Sequence, residues 1–108
     1  MSKFEAVILL NPDLSSANLK KHEDSFKELM IGLNGSVFSK EDWGLRNLNY
    51  KIKNFKKAFY QFYQLEIEGS KIQNIKKNIN QNEQIIRHLF VKVKNHEKLP
   101  TKILKEEK

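Results

Sequence analysis

At 108 residues and a formal net charge of +7, the chain is one domain's worth of polymer, with room for a single modest core and a surplus of cations that attracts polyanions. It has no cysteine, which excludes disulfides, thiolate zinc centres and cysteine nucleophiles, and its longest apolar run, Ala6 to Leu10, is strand-sized, far short of the roughly 20 residues that span a bilayer. The N-terminus lacks the basic region, long apolar stretch and cleavage site of a signal peptide, so a soluble, non-exported protein is expected, with nucleic acid as the leading partner class and an anionic membrane second.

Phe4, Ala6, Ile8 and Leu10 alternate with Glu5, Val7 and Leu9, the period-two pattern of a strand, and Asn11-Pro12-Asp13 ends it. Apolar residues on both of its faces predict a central position in a sheet. Ser15 or Ser16 can cap a helix whose inward positions are Leu19, Phe26, Leu29, Met30 and Leu33, with Asn34-Gly35 as the stop. A second strand runs from Val37 to about Leu48. The third is the aromatic run Phe59 to Ile67, ended by Gly69. Ser70, followed three residues later by Gln73, resembles a capping box, and Ile72, Ile75 and Ile79 form the stripe of a second helix. Leu89, Val91 and Val93 alternate with Phe90, Lys92 and Lys94 in a fourth strand. Residues 1–94 are read as one domain, and 95–108 as a charged, flexible tail.

The order strand, helix, strand, strand, helix, strand folds most simply as an α+β, ferredoxin-like βαββαβ split unit. Right-handed crossovers and a central hairpin give an antiparallel sheet ordered 4-1-3-2 with both helices on one face. The first strand falls in the centre and the basic second strand at an edge, where its polar groups and Gly44 discourage self-pairing.

Charge concentrates in that second strand and its hairpin. Residues 35–58 carry six basic groups against two acids, and no acid occurs from Trp43 to Leu65. The stretch holds the only tryptophan, Arg46, one of two arginines, and then Lys51, Lys53, Lys56 and Lys57. Alone, such a lysine group reads as a solvated hairpin; beside Trp43, Arg46 and an acid-free run, phosphate contact stands level with that reading, and the pattern alone does not choose between them. On the third strand, alternation puts Tyr60 and Phe62 on the face opposite the helices if Leu65 and Ile67 face them. There they could stack bases as in an RRM, although core or protein contact is the better reading, because Ala58 to Phe62 lacks the glycine and valine of that motif.

Catalysis is hard to assemble. His22, His88 and His96 lie in a helix, a strand and the tail without ligand spacing, so no metal, cofactor or small-molecule substrate is expected, and His88 reads as a partly buried strand residue. Glu41 and Asp42 point to opposite faces of a strand and cannot act together on one bond. Gly32-Leu33-Asn34-Gly35 imitates the nucleotide clamp of a KH domain but follows a helix and precedes a strand, which is the context of a helix stop.

As a string, Glu41-Asp42-Trp43-Gly44-Leu45-Arg46-Asn47-Leu48-Asn49-Tyr50-Lys51-Ile52 resembles the E-D-W-G-x-R-x-L-A-Y-x-I signature of the bacterial small-subunit ribosomal protein S-six family. Lys3-Phe4-Glu5 with Asn11-Pro12-Asp13-Leu14, and Asn82-Glu83 through Ile86-Arg87-His88-Leu89, resemble its first strand and turn and its approach to strand four, so the likeness covers residues 3–94. Asn49 and Lys51 depart from the usual alanine and proline, which leaves the hairpin less rigid.

The resemblance implies a structural, non-enzymatic, cytoplasmic protein of the small subunit. It would bind the central domain of small-subunit ribosomal RNA together with ribosomal protein S-eighteen. By that likeness Arg46, Tyr50, Lys51 and Lys53 would lie near RNA or the partner protein, with Lys3 and Arg87 as further basic contacts. Taken with the charge and aromatic pattern, the candidate RNA contacts are Lys3, Arg46, Lys51, Lys53, Lys56, Lys57, Arg87 and Lys92, and the candidate partner-protein contacts are Trp43, Tyr50, Tyr60 and Phe62, with Trp43 and Tyr50 as packing anchors. Two rivals remain on the same fold. One is a free-standing RRM-like regulator that stacks single-stranded bases; the other is an acylphosphatase-like hydrolase, which would want an arginine and a glycine-lined anion loop that Leu10 to Ser15 does not supply.

Overall fold

The computed structural model describes residues 2–95, apart from the side chain of Asn49. The expected tail over 95–108 therefore lies, beyond Asn95, outside the described residues. In chain order the elements are β1 (Ser2–Leu10), α1 (Ser16–Gly32), β2 (Ser36–Ile52), β3 (Phe55–Ile67), a 3-10 turn (Gly69–Lys71), α2 (Ile72–Asn80) and β4 (Ile85–Val93). They form one sheet ordered β2-β3-β1-β4, with every neighbouring pair antiparallel. This is the expected 4-1-3-2 order, with β1 central and β2 at an edge.

The pleat of β1 sorts the core. Phe4, Ala6, Ile8 and Leu10 face the helices, opposite Leu65, Tyr63, Gln61 and Phe59 of β3, and pack with Phe26 and Met30 of α1 and Ile72, Ile75 and Ile79 of α2. Each fully buried aliphatic chain of this kind contributes about 1.5–3 kcal/mol of transfer free energy. One polar pair is folded into the same layer: the buried Tyr63 hydroxyl donates to Gln61 Oε1 at 2.8 Å, and its ring lies 4.6 Å from that of Phe26. Burial, followed by the negative fields of Glu23, Asp42 and Asp24, pushes the Tyr63 phenol up, so it stays a neutral donor.

Helix ends follow local chemistry. Ser15, of the two candidate caps, accepts from the Asn18 amide at 3.2 Å and starts α1. At the other end Asn34 takes the left-handed backbone, with φ of 62°, and the Gly35 amide donates to the Met30 carbonyl at 2.8 Å. Gly35 is needed for space instead: a Cβ there would come within 2.9 Å of Ile67 Cγ1. The Ser70–Gln73 capping box does not form. The chain tightens into the 3-10 turn first, so Ser70 lies inside that turn and Lys71, which makes no side-chain cap, holds the N-cap position. Lys71 Nζ reaches across to the Leu33 carbonyl at 3.0 Å, satisfying the end of α1.

Both middle strands are longer than expected. β2 continues to Ile52 and β3 starts at Phe55, because the reversal takes only two residues, Lys53 and Asn54, with φ of 50° and 70°. That is the backbone of a two-residue primed hairpin turn, in which Ile52 pairs with Phe55. Lys-Asn is not the usual glycine-containing signal, so the paired hairpin was not legible beyond Leu48. Of the lysines expected on a hairpin loop, Lys51, Lys56 and Lys57 stand on the strands, Lys57 opposite Asn47, and Lys53 is in the turn.

Candidate nucleic-acid interface

The face of the sheet away from the helices carries a smaller cluster. Leu9, Ala58 and Ile86 are buried there, with Val7, Leu48, Ile52, Phe55 and Tyr60 packed around them. β2 supplies the rest, and it does so through bulges. Ser39 pairs with Gln64 and Glu41 with Phe62; then Trp43 is the extra residue before Gly44 pairs with Tyr60 and Arg46 with Ala58. Glu41, Trp43 and Arg46 thus meet on one face.

Their contacts are specific. The Trp43 indole is stacked on Phe62 with centroids 5.2 Å apart and planes at 11°, and lies 6.3 Å from Tyr60. Its Nε1 donates to Glu41 Oε1 at 2.6 Å. Arg46 sits with its guanidinium 6.0 Å from the indole centroid and donates from Nε to the Trp43 carbonyl at 3.0 Å. Phe62 is only 5% exposed beneath this lid. As alternation suggested, Tyr60 and Phe62 do face away from the helices, but the stacking position on Phe62 is taken by Trp43.

The acids of β2 are drawn into internal bonds, one to each side of the strand. On the helix side Lys40 Nζ bridges Asp42 at 2.9 Å and also bonds Glu23 of α1, which Lys27 meets at 3.0 Å. Burial pushes the Glu23 carboxyl up, but the bonds and charges of Lys40 and Lys27 outweigh it and hold the group below its ordinary range. At Lys40 burial acts to lower the ammonium, but the bonds and charges of Glu23 and Asp42 outweigh it and raise it, so the Glu23–Lys40 pair stays ionised. Glu41 bonds the indole on the open side. Sequence reading placed the two carboxylates on opposite faces but missed these partners. The i, i+2 spacing of Glu41 and Trp43 was the available signal for one of them; the Glu23–Lys40 bond is long-range and left none.

Register distributes the remaining cations. Lys3, opposite Val93, and Arg87, opposite Leu9, belong to the open face with Arg46. Lys51, Lys53, Lys56 and Lys57 are exposed along the hairpin that projects beyond the last β1–β3 pair, Leu10 and Phe59. Lys92 is opposite Phe4, a helix-face residue, and so lies off both the open face and the hairpin. Tyr50 is 67% exposed and is not a packing anchor within the chain, in contrast to Trp43. The alternation along β4 was read, but not its result: Leu89 and Val91 remain exposed on the open face.

Nothing else in the described residues gathers reactive groups. His22 lies against Asn82 and His88 against Asn80, each at 3.2 Å, and no group of three or more His, Asp or Glu residues among those described could hold a metal ion. His88 is half-buried, as expected of a strand residue. No described helix is long and apolar enough to cross a membrane.

The profile of the family described as Ribosomal protein S6 matches residues 3–92 of this chain. The chain belongs to the ribosomal protein S6 family. It is 37% identical over 107 residues to the small ribosomal subunit protein bS6 of Rickettsia felis, covering 99% of this chain and 88% of that protein. Over 96 residues it is 31% identical to the bS6 of Christiangramia forsetii, with 89% and 86% covered. The crystal structure of 30S ribosomal protein S6 from Thermotoga maritima superposes with a TM-score of 0.81 at 18% identity, over 98% of this chain and 94% of that one, which is a likeness of fold. The resemblance drawn from three separated strings and the ferredoxin-like fold class are both borne out, and the S6 match includes the whole bulged strand and hairpin that carry the cluster.

Proposed function

We propose that this protein is a structural, non-enzymatic component of the small ribosomal subunit, resident in the cytoplasm, that binds ribosomal RNA through the open face of its sheet and the β2–β3 hairpin. The observation that supports this most directly is the Arg46 guanidinium set over the Trp43 ring at the root of a hairpin bearing four exposed lysines and no acid. Lysine and arginine displace counterions from phosphates, giving affinity that falls with salt, while shape and partner contacts supply register. In this reading Lys3, Arg46, Lys51, Lys53, Lys56, Lys57 and Arg87 contact the RNA, and Lys92 is a peripheral cation. The RNA is the central domain of the small-subunit ribosomal RNA. Ribosomal protein S-eighteen is the co-binding partner, meeting Tyr50 and the exposed rims of Trp43 and Tyr60. Phe62 acts from beneath, by holding Trp43 in place. Residues 1–94 act as one RNA-binding domain.

Replacing Arg46, Lys51 and Lys53 by alanine is expected to weaken binding to a central-domain RNA transcript and to lower the slope of log affinity against log salt by about 2.1–2.7, at roughly 0.7–0.9 for each of three phosphates no longer neutralised. An unchanged slope removes these residues from the RNA. Co-sedimentation with small ribosomal subunits in high salt tests the wider reading, and absence from them overturns it. Stacking of single-stranded bases on Tyr60 and Phe62 gains no support, since the indole already covers Phe62.

A further inference from the structure

β2 reaches Arg46 only after its alternation has been reversed. From Ser39 to Asp42 the odd-numbered residues face the open side, Ser39 opposite Gln64 and Glu41 opposite Phe62. From Gly44 onward the even-numbered residues do, Gly44 opposite Tyr60 and Arg46 opposite Ala58. Continued without the bulge, the pairing would set Trp43 opposite Tyr60, Leu45 opposite Ala58 and Arg46 opposite Lys57. A slip of one residue moves each following side chain to the other face. Arg46 would leave the Trp43 ring for the helix side, and Leu45 would take its place.

Gly44 is the residue that makes this reversal possible at low cost. Its φ is +78°, and a glycine in left-handed backbone is the least strained way to build a bulge of this kind. Crowding has no part in the choice, because nothing lies within 4 Å of where a Cβ would stand. Backbone conformation alone discriminates, so asparagine is tolerated and a β-branched residue is not.

We propose that Gly44 is a positioning residue for RNA binding, whose left-handed backbone sets the frame that delivers Arg46 to the same face as Trp43. The inference rests on the RNA-binding reading of Arg46. The test compares wild type, Arg46→Ala, Gly44→Val, Gly44→Asn and the double variant Gly44→Val/Arg46→Ala. Affinity for a central-domain RNA transcript is measured across a salt series with ribosomal protein S-eighteen present, and circular dichroism follows folding. Arg46→Ala is expected to lower affinity roughly tenfold and the salt slope by about 0.7–0.9. Gly44→Val should do the same, the double variant should lose no more than Gly44→Val alone, and Gly44→Asn should keep most of the affinity.

A role confined to stability would make the two losses additive and leave the salt slope of Gly44→Val at the wild-type value; either result overturns the inference. So does wild-type binding by Gly44→Val when Arg46→Ala is weakened. Wild-type binding by Arg46→Ala itself overturns the RNA reading of that residue, and this inference with it. If Gly44→Val does not fold, Gly44→Ala, equally strained at this φ but smaller, carries the same comparison.

Discussion

The two faces of the sheet are built to different standards. Against the helices, Phe4, Ala6, Ile8, Leu10, Tyr63, Leu65 and Ile67 are each at most 8% exposed and meet Phe26 and Met30 of α1 and Ile72, Ile75 and Ile79 of α2, which are buried as completely. On the other face the buried centre is smaller, Leu9, Ala58 and Ile86 with Phe62 beneath the indole, while Leu89 and Val91 stay 58% and 45% exposed and Arg46 is held over that indole. On the proposed RNA-binding reading, stability and recognition are divided between the faces, so substitutions should separate them. The largest expected effect is on the first face: Ile75→Ala, at a fully buried position on α2, should cost about 3 kcal/mol of unfolding free energy in a urea titration. RNA affinity of the folded fraction should not change. A drop in that affinity with stability intact would break the division.

Trp43→Ala should fall between the two behaviours. The indole is half-buried and stacked on Phe62, so its removal should cost about 2 kcal/mol of stability, less than a fully buried aromatic. It also takes away the surface over which Arg46 lies, so affinity should fall together with stability. Trp43→Phe, which keeps a stacked ring but loses the bond to Glu41, should recover most of the stability measured by thermal melting. Should Trp43→Ala leave stability untouched, the open face is a surface layer with no core of its own, and the comparison becomes one of core against veneer.

How much of this was legible depended on whether the determining interaction was local. The apolar β1, the isoleucine stripe of α2 and the stop at Asn34-Gly35 are short-range patterns, and the topology followed from their order. Alternation also assigned Tyr60 and Phe62 to the open face, because β3 runs without a bulge through its pairing with β1. β2 was less readable. Its register with β3 shifts three times, at Phe38, at Trp43 and between Asn47 and Ile52, and a bulge has no periodic signature; at Trp43 the sequence offers only a glycine whose φ is set by pairing. The same cause hid the turn at Lys53-Asn54, where strand pairing imposes left-handed backbone on a residue with no intrinsic preference for it. Ser70 failed for the opposite reason: the local capping signal was present, but the chain leaving β3 had already tightened into a 3-10 turn.

The smallest expected effect lies where the two layers are tied together at the sheet edge. Glu23 of α1 bonds Lys40 of β2, beside a groove lined by Leu19, Glu23, Asp42 and Phe59. Lys40 and Lys27 hold the Glu23 carboxyl below the ordinary value of 4.5, against the effect of burial, so the folded state binds the proton more weakly than the unfolded chain. A carboxylate of this kind contributes stability that is fully present above the unfolded-state value and is lost as pH falls through the lower folded-state value. Glu23→Gln should therefore cost about 0.5–1 kcal/mol near neutrality, as expected for a partly buried ion pair. The difference from wild type should shrink in urea titrations carried below pH 4.5, where the wild-type carboxylate itself becomes protonated. An equal difference at acid and neutral pH would mean that Glu23 acts by packing alone, and that the charge of Lys40 is not what ties the helical layer to the edge of the recognition face.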